Sequence, residues 1–261
     1  MSELSLDKQE LLALLQQLIR MESVNPSLVA GGSGETGLAR FIGGYLAQLG
    51  LRVTYQEVAP GRHNVIAVLK GTGQGPALML NGHTDTVSIA GMDIEPLVPA
   101  FAAGRVYGRG SLDMKGGLAA MIMAVKTIVQ AKVKLKGDVV LACVADEEYA
   151  SLGTEALIKE FTADAAIICE PTDLTIGIAH KGFAWIKVEV FGKAAHGSRP
   201  EEGVDAIVKA GKVLAELEKL PEAVYLNRQH PLLGSRSIHA SLITGGTELS
   251  TYPAYCKIEL E

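Results

Sequence analysis

Four short segments carry histidine or carboxylate at spacings that suit a divalent cation: Leu78-Met-Leu-Asn-Gly-His83-Thr-Asp85, Gly108-Arg-Gly-Ser-Leu-Asp113-Met-Lys-Gly-Gly117, Val144-Ala-Asp146-Glu147-Glu148 and Ile168-Cys-Glu170-Pro-Thr. Each follows an apolar, strand-like run. Ligands bind beyond the carboxyl ends of the strands in an open α/β sheet, so side chains leaving several such ends converge. Imidazole and carboxylate without a thiolate suit zinc, cobalt or manganese in a catalytic site better than structural zinc or a calcium loop. Residues i and i+2 point the same way on an extended chain, so the Asp85 carboxylate is expected to hold the second imidazole nitrogen of His83. Glu147 and Glu148 cannot share a face within a strand. Just past its end they can split, one binding metal and the other holding the attacking water, which is the division of labour of metal-assisted hydrolysis. Taken singly these residues have plainer readings: a hydrogen-bonded histidine, a solvated Glu pair, Asp113 as a helix cap, Glu170-Pro as a strand exit. Four such accidents at four strand ends coincide less readily than one metal site forms.

The elements that must place these groups are legible from periodicity. Asp7 caps a helix with Glu10 in its first turn and Leu11, Leu14, Leu15 and Leu18 on one face, ending by Asn25-Pro26. A second helix fits Glu35 to Leu49, followed by strands Leu51–Val58, Asn64–Lys70 and Ala77–Asn81, the last two separated by Gly71-Thr-Gly73-Gln-Gly75, read as a hairpin turn. Gly116–Gln130 and Thr154–Phe161 read as helices, with Asp138–Val144 as a buried strand and Ala165–Cys169 as a further strand. This alternation implies an α/β fold with a mostly parallel sheet and helices on both faces. After about Ile178 the pattern changes. Phe183–Phe191 alternates apolar and polar residues, Val204–Leu220 is an amphipathic helix, and Ile238–Ile243 and Tyr255–Leu260 are half-exposed strands, a smaller α+β unit with one wet sheet face. The boundary is expected near His180–Gly182, giving a catalytic domain over 1–180 and a second domain over 181–261.

Composition narrows the classes. Of 261 residues 48% are hydrophobic and 20% charged, a globular mixture rather than a disordered one. A net charge of −5 without a block of like charges offers no footprint for nucleic acid. The longest nearly apolar run, Gly116–Val125, is about half of the roughly 20 residues a membrane span needs, so no membrane partner is expected. Three cysteines, Cys143, Cys169 and Cys256, lie in apolar runs. With no basic leader at Met1–Lys8, they point to buried thiols in the cytoplasm. The Gly71–Gly75 loop fits neither a dinucleotide fingerprint nor a P-loop, and no G-x-S-x-G elbow is present.

In order and spacing, Asn81-Gly-His83-Thr-Asp85-Thr-Val, Tyr107-Gly-Arg-Gly-Ser-Leu-Asp113-Met-Lys-Gly-Gly117, Asp146-Glu147-Glu148 and Glu170-Pro-Thr resemble the signatures of the co-catalytic zinc amidohydrolases and peptidases, the family of acetylornithine deacetylase, succinyl-diaminopimelate desuccinylase, aminoacylase and glutamate carboxypeptidase. The resemblance implies two zinc ions (cobalt or manganese being possible), with Asp113 bridging them, His83 and Glu170 on one, Glu148 on the other, and Glu147 as general base. It also implies a cis peptide at Asp113-Met114. Gly192-Lys-Ala-Ala-His196-Gly-Ser-Arg-Pro200 resembles the lid, or dimerisation, segment whose histidine reaches the partner subunit's active site and stabilises the oxyanion, so a homodimer is implied. His180-Lys181 falls where some relatives place cationic substrate contacts. The implied substrate is an N-acyl amino acid or a peptide, with wording nearest the acetylornithine deacetylase branch. Two departures stand out. The chain ends at Glu261 inside a strand pattern, before the family's last ligand histidine, whose place His230 and His239 do not fit, and Ser250-Thr-Tyr-Pro253 lacks the usual Asn. Both domains are therefore expected to be incomplete. The alternative is a catalytically silent metal- or partner-binding module of the same family.

Overall fold

The computed structural model describes residues 4–220 and 229–261, so Met1–Glu3, part of the segment read for a leader, lie outside it. The chain divides into two compact units, Met1–Leu174 and Thr175–Glu261, a few residues ahead of the change of pattern seen in the sequence.

The first unit is a five-stranded sheet with helices on both faces. Its elements are α1 (Lys8–Arg20), α2 (Thr36–Gln48), β1 (Arg52–Ala59), β2 (Arg62–Leu69), β3 (Leu78–His83), β4 (Ala100–Ala102), β5 (Arg105–Tyr107), α3 (Lys115–Gln130), β6 (Val139–Val144), α4 (Leu152–Glu160) and β7 (Ala165–Ile168). α1 starts where its cap requires: Asp7 Oδ1 accepts from the N–H groups of Gln9 (2.9 Å) and Glu10 (3.1 Å). The strand order is β1-β2-β6-β3-β7. β1 with β2 and β2 with β6 are antiparallel, whereas β3 runs parallel to both β6 and β7.

The centre of the sheet explains its layering. All six residues of β6 are buried, as a continuous apolar run between two covered faces should be. Leu141 and Cys143 pack with Val65 and Ala67 against Leu18, Ile42 and Leu118 of α1, α2 and α3. Val140, Ala142 and Val144 point the other way, to Ile66, Met79 and Leu157 of α4.

Two sequence expectations are corrected. β2 and β3 do not form a hairpin about Gly71–Gly75, because β6 lies between them. The loop instead pairs with the approach to β6, through Thr72 N–H to Leu135 O and Gln74 N–H to Lys136 O, both 2.9 Å. The connection from β3 to its parallel neighbour β6 is a crossover through α3. The small hairpin of β4 and β5, before α3, was not expected. Asp113 consequently follows no strand of the main sheet and enters from the N-terminal end of α3.

The second unit contains β8 (Ile186–Phe191), α5 (Ala206–Leu220), β9 (Ala240–Gly245) and β10 (Tyr255–Leu260). The sheet is antiparallel in the order β8-β10-β9. Cys256, Ile258 and Leu260 alternate toward Ala206 and Ala210 of α5, with Val188 and Val190 beside them. Lys187, Glu189, Lys257 and Glu259 take the intervening positions, so the other sheet face is solvent-exposed, and Phe191, Tyr255 and Leu242 share it.

Candidate metal centre

β6, β3 and β7 are neighbouring parallel strands, so their carboxyl ends lie at one edge of the sheet. The register sets His83 beside Val144 and Asn81 beside Ile168, which brings the segments entering Glu147-Glu148 and Glu170 to either side of His83. The His83 side chain is 1% exposed, and its Nε2 lies 2.9 Å from Asp113 Oδ1, 3.6 Å from Glu170 Oε1 and 3.8 Å from Glu147 Oε2. His83, Asp113 and Glu170 each offer one ligand atom, and these atoms all lie within 4.8 Å of one another. Ligands about 2.0–2.2 Å from a tetrahedral zinc stand roughly 3–3.5 Å apart, so the donor set fits a divalent cation in both chemistry and spacing.

Electrostatics point the same way. Burial opposes charge on His83, yet Asp113, Asp85 and Glu170 outweigh it and push the imidazole up to about 11. Burial pushes Glu148 and Glu170 up to about 7; the His83 charge works against this shift, and the neighbouring carboxylates of Asp113, Asp85 and Glu147 add to it. Acids are crowded around a position that positive charge would relieve.

Asp113 is held here without acting as a helix cap. Met114 occupies the cap position and no side chain caps α3. The Asp113-Met114 peptide is cis, as the resemblance implied. Met114 Sδ accepts from the His83 N–H at 3.1 Å, and Gly82 makes room, since a Cβ there would stand 2.6 Å from Met114 Cε.

Asp85 is placed as expected but bonded differently. His83 Nδ1 lies 2.8 Å from the Asp85 main-chain carbonyl, against 3.6 Å from its carboxylate. The backbone carbonyl of residue 85 thus receives the Nδ1 N–H, and the ring's other nitrogen, Nε2, faces Asp113 and Glu170. The carboxylate is committed elsewhere: it accepts from Asn25 Nδ2 (2.7 Å) and from the backbone N–H groups of Glu147 (3.1 Å) and Glu148 (3.0 Å). Burial alone would raise its pKa, but His83 and these donors hold it below the usual carboxylate range.

The structure therefore places six of the seven expected residues in the first unit, with His83, Asp113 and Glu170 close enough together to form a candidate ligand set and Glu147 beside it. Glu148 is anchored through its N–H but does not join that set. His196 belongs to the second unit, where it is exposed and its Nδ1 accepts from the Ser198 N–H at 3.2 Å.

Periodicity gave no role to the buried polar residues behind the site. Arg62 forks onto Glu35 and reaches Asp146 Oδ1 at 2.8 Å. Asn25 Nδ2 reaches the same Asp146 oxygen at 3.0 Å. The usable signal was Arg62-His-Asn64, which sets polar side chains at the head of an otherwise apolar strand.

The chain is similar to known proteins in sequence and in fold. A family model described as peptidase family M20/M25/M40 matches residues 79–251. The N-formyl-4-amino-5-aminomethyl-2-methylpyrimidine deformylase of Bacillus subtilis is 30% identical over 96% of the chain and 62% of its own length. The acetylornithine deacetylase of Vibrio cholerae is 33% identical over 84% of the chain and 58% of its own length. A tripeptidase from Staphylococcus aureus superposes with a TM-score of 0.65 at 22% identity, over 98% of the chain and 66% of that structure. The chain thus spans about three fifths of the length of these curated relatives.

Proposed function

This chain belongs to peptidase family M20/M25/M40, and from that premise we propose that it hydrolyses the amide bond of an N-acyl amino acid or small peptide with the help of divalent cations. The carrying observation is the convergence of His83, Asp113 and Glu170 within ligand distance of one another, with the Glu147 carboxylate 3.8 Å from His83 Nε2.

His83, Asp113 and Glu170 would hold one cation, and Glu148 with Asp113 would hold a second; zinc suits this oxygen and nitrogen donor set, and cobalt or manganese would substitute for it. Bound there, the cations supply Lewis acidity for the scissile carbonyl. Glu147, 44% exposed, has access to substrate and water; it takes a proton from water and returns it to the leaving amine. Asp85 holds the Glu147 and Glu148 backbone in place. His196 of a second copy of the chain donates to the oxyanion: its Nδ1 already accepts from Ser198, so Nε2 carries the proton. The second unit is accordingly the lid and dimer contact, and the reaction takes place in the cytoplasm, where the free thiols of Cys143, Cys169 and Cys256 stay reduced. The relatives named as deformylase and deacetylase support small acyl groups as substrates.

The test is a panel of N-formyl, N-acetyl and N-succinyl amino acids and dipeptides, assayed with the cobalt-loaded chain and its Glu147→Gln variant. Turnover of one class, lost by about 100-fold or more in E147Q with cobalt retained, is expected. Cobalt uptake without turnover of any of them would favour the silent binding module, and no uptake would end both readings.

A further inference from the structure

We infer that Asn25 is a positioning residue that sets the Glu147-Glu148 loop, by spacing two buried carboxylates that would otherwise repel. It is wholly buried, as is Asp146, and Asp85 is 1% exposed. Its amide nitrogen donates to Asp85 Oδ2 at 2.7 Å and to Asp146 Oδ1 at 3.0 Å, one bond for each amide hydrogen. Its Oδ1 accepts from the N–H groups of Ser27 (2.9 Å) and Leu28 (3.3 Å), and its own N–H donates to Thr86 O at 2.9 Å. No hydrogen-bonding group of the residue is idle, and a neutral amide is the only side chain of this size with two donors and an acceptor.

What it spaces bears directly on the site. Asp146 has φ +64°, a left-handed conformation that an Asp tolerates at some cost. That turn lets the next two N–H groups, of Glu147 and Glu148, both reach the Asp85 carboxylate. Asp146 is held in it from the far side by Arg62, and its N–H reaches Glu35 Oε1 at 3.2 Å. A continuous chain thus runs Glu35, Arg62, Asp146, Asn25, Asp85 and the Glu147-Glu148 backbone, and Asn25 is its neutral link. Without the amide donors, Asp85 and Asp146 lose their shared partner, and the loop that aims Glu147 and Glu148 loses its template. The consequence for cation affinity rests on the function proposed above; the consequence for the loop does not.

The variant that isolates the role is Asn25→Asp, which keeps the Oδ1 acceptor for Ser27 and Leu28 and removes the amide donors. Amide hydrogen exchange of the metal-free chain is expected to speed up by about ten- to hundred-fold at Glu147 and Glu148, the scale of a lost bond to a charged group. The amides of Val140 and Leu141 in β6 should keep their protection, and cobalt affinity should fall at least about ten-fold. Unchanged exchange at Glu147 and Glu148 would overturn the inference. If N25D also unprotects β6, the wild-type chain decides. The Asn25 side-chain amide and the Glu147 and Glu148 N–H groups should open together, with protection within about three-fold of one another, and a gap beyond about ten-fold would overturn the link. A wild-type chain that takes up no cobalt sinks the proposed function while leaving the exchange result to judge Asn25.

Discussion

Ion pairs of the two units differ in burial: only the first unit, among the described residues, buries both members of a charged pair. In the first, the Arg62 side chain is 9% exposed and its partners Glu35 and Asp146 are fully buried. In the second, Arg199–Glu202 and Lys219–Glu216 leave half or more of every side chain in water. The exposed pairs are three residues apart in sequence and are the sort any polar surface makes, each contributing at most about 1 kcal/mol. The buried ones join residues 27 and 84 positions apart. Taking such groups out of water costs several kcal/mol per ion and is recovered only when every partner is in place. The buried charges beside the candidate metal site hold geometry, whereas these pairs of the second unit, one in a loop and one on α5, belong to its solvated surface.

That contrast can be broken or sharpened by substitution. Arg62→Met strands Glu35 and Asp146 without their cation and is expected to destabilise the chain by about 3–5 kcal/mol in urea denaturation followed by circular dichroism; a loss below about 1 kcal/mol would put Arg62 in the same class as the surface pairs. Gly82→Ala drives a methyl into Met114 Cε beneath His83, so about 1–3 kcal/mol should be lost together with cobalt affinity. Gly211→Ala, in α5 with nothing within 4 Å of the new Cβ, should instead stabilise by about 0.5–1 kcal/mol in the same assay. Arg199→Ala should move the denaturation midpoint by less than the equivalent of about 1 kcal/mol.

How much of this was legible in the sequence follows from the range of each interaction. Local rules sufficed for the Asp7 cap and for the six buried residues of β6, whose two-faced burial is written as an unbroken apolar run. The convergence of His83, Asp113 and Glu170 was legible because His83 and Glu170 leave strand ends and because the Asp113 segment has a distinctive composition, although that segment arrives by a different element from the one expected. Strand order was not: a glycine-rich loop between two apolar runs looks like a hairpin until β6 is known to insert between them. β4 and β5, at three residues each, are too short to show a period. Asn25 next to a proline reads as a helix stop, and Arg62 falls between two strand patterns with no role of its own, since nothing near either in sequence reveals a partner 121 or 84 positions away. The Asp85 prediction had the right residue and the wrong atoms, because i to i+2 spacing gives the side-chain direction but not which donors have already claimed the carboxylate.

The most direct test is anomalous diffraction at the zinc absorption edge from crystals of this chain grown with zinc. The expected result is a peak bonded to His83 Nε2, Asp113 and Glu170. At full zinc occupancy elsewhere in the lattice, bare density among those three side chains, or side chains turned away from one another, would contradict the account.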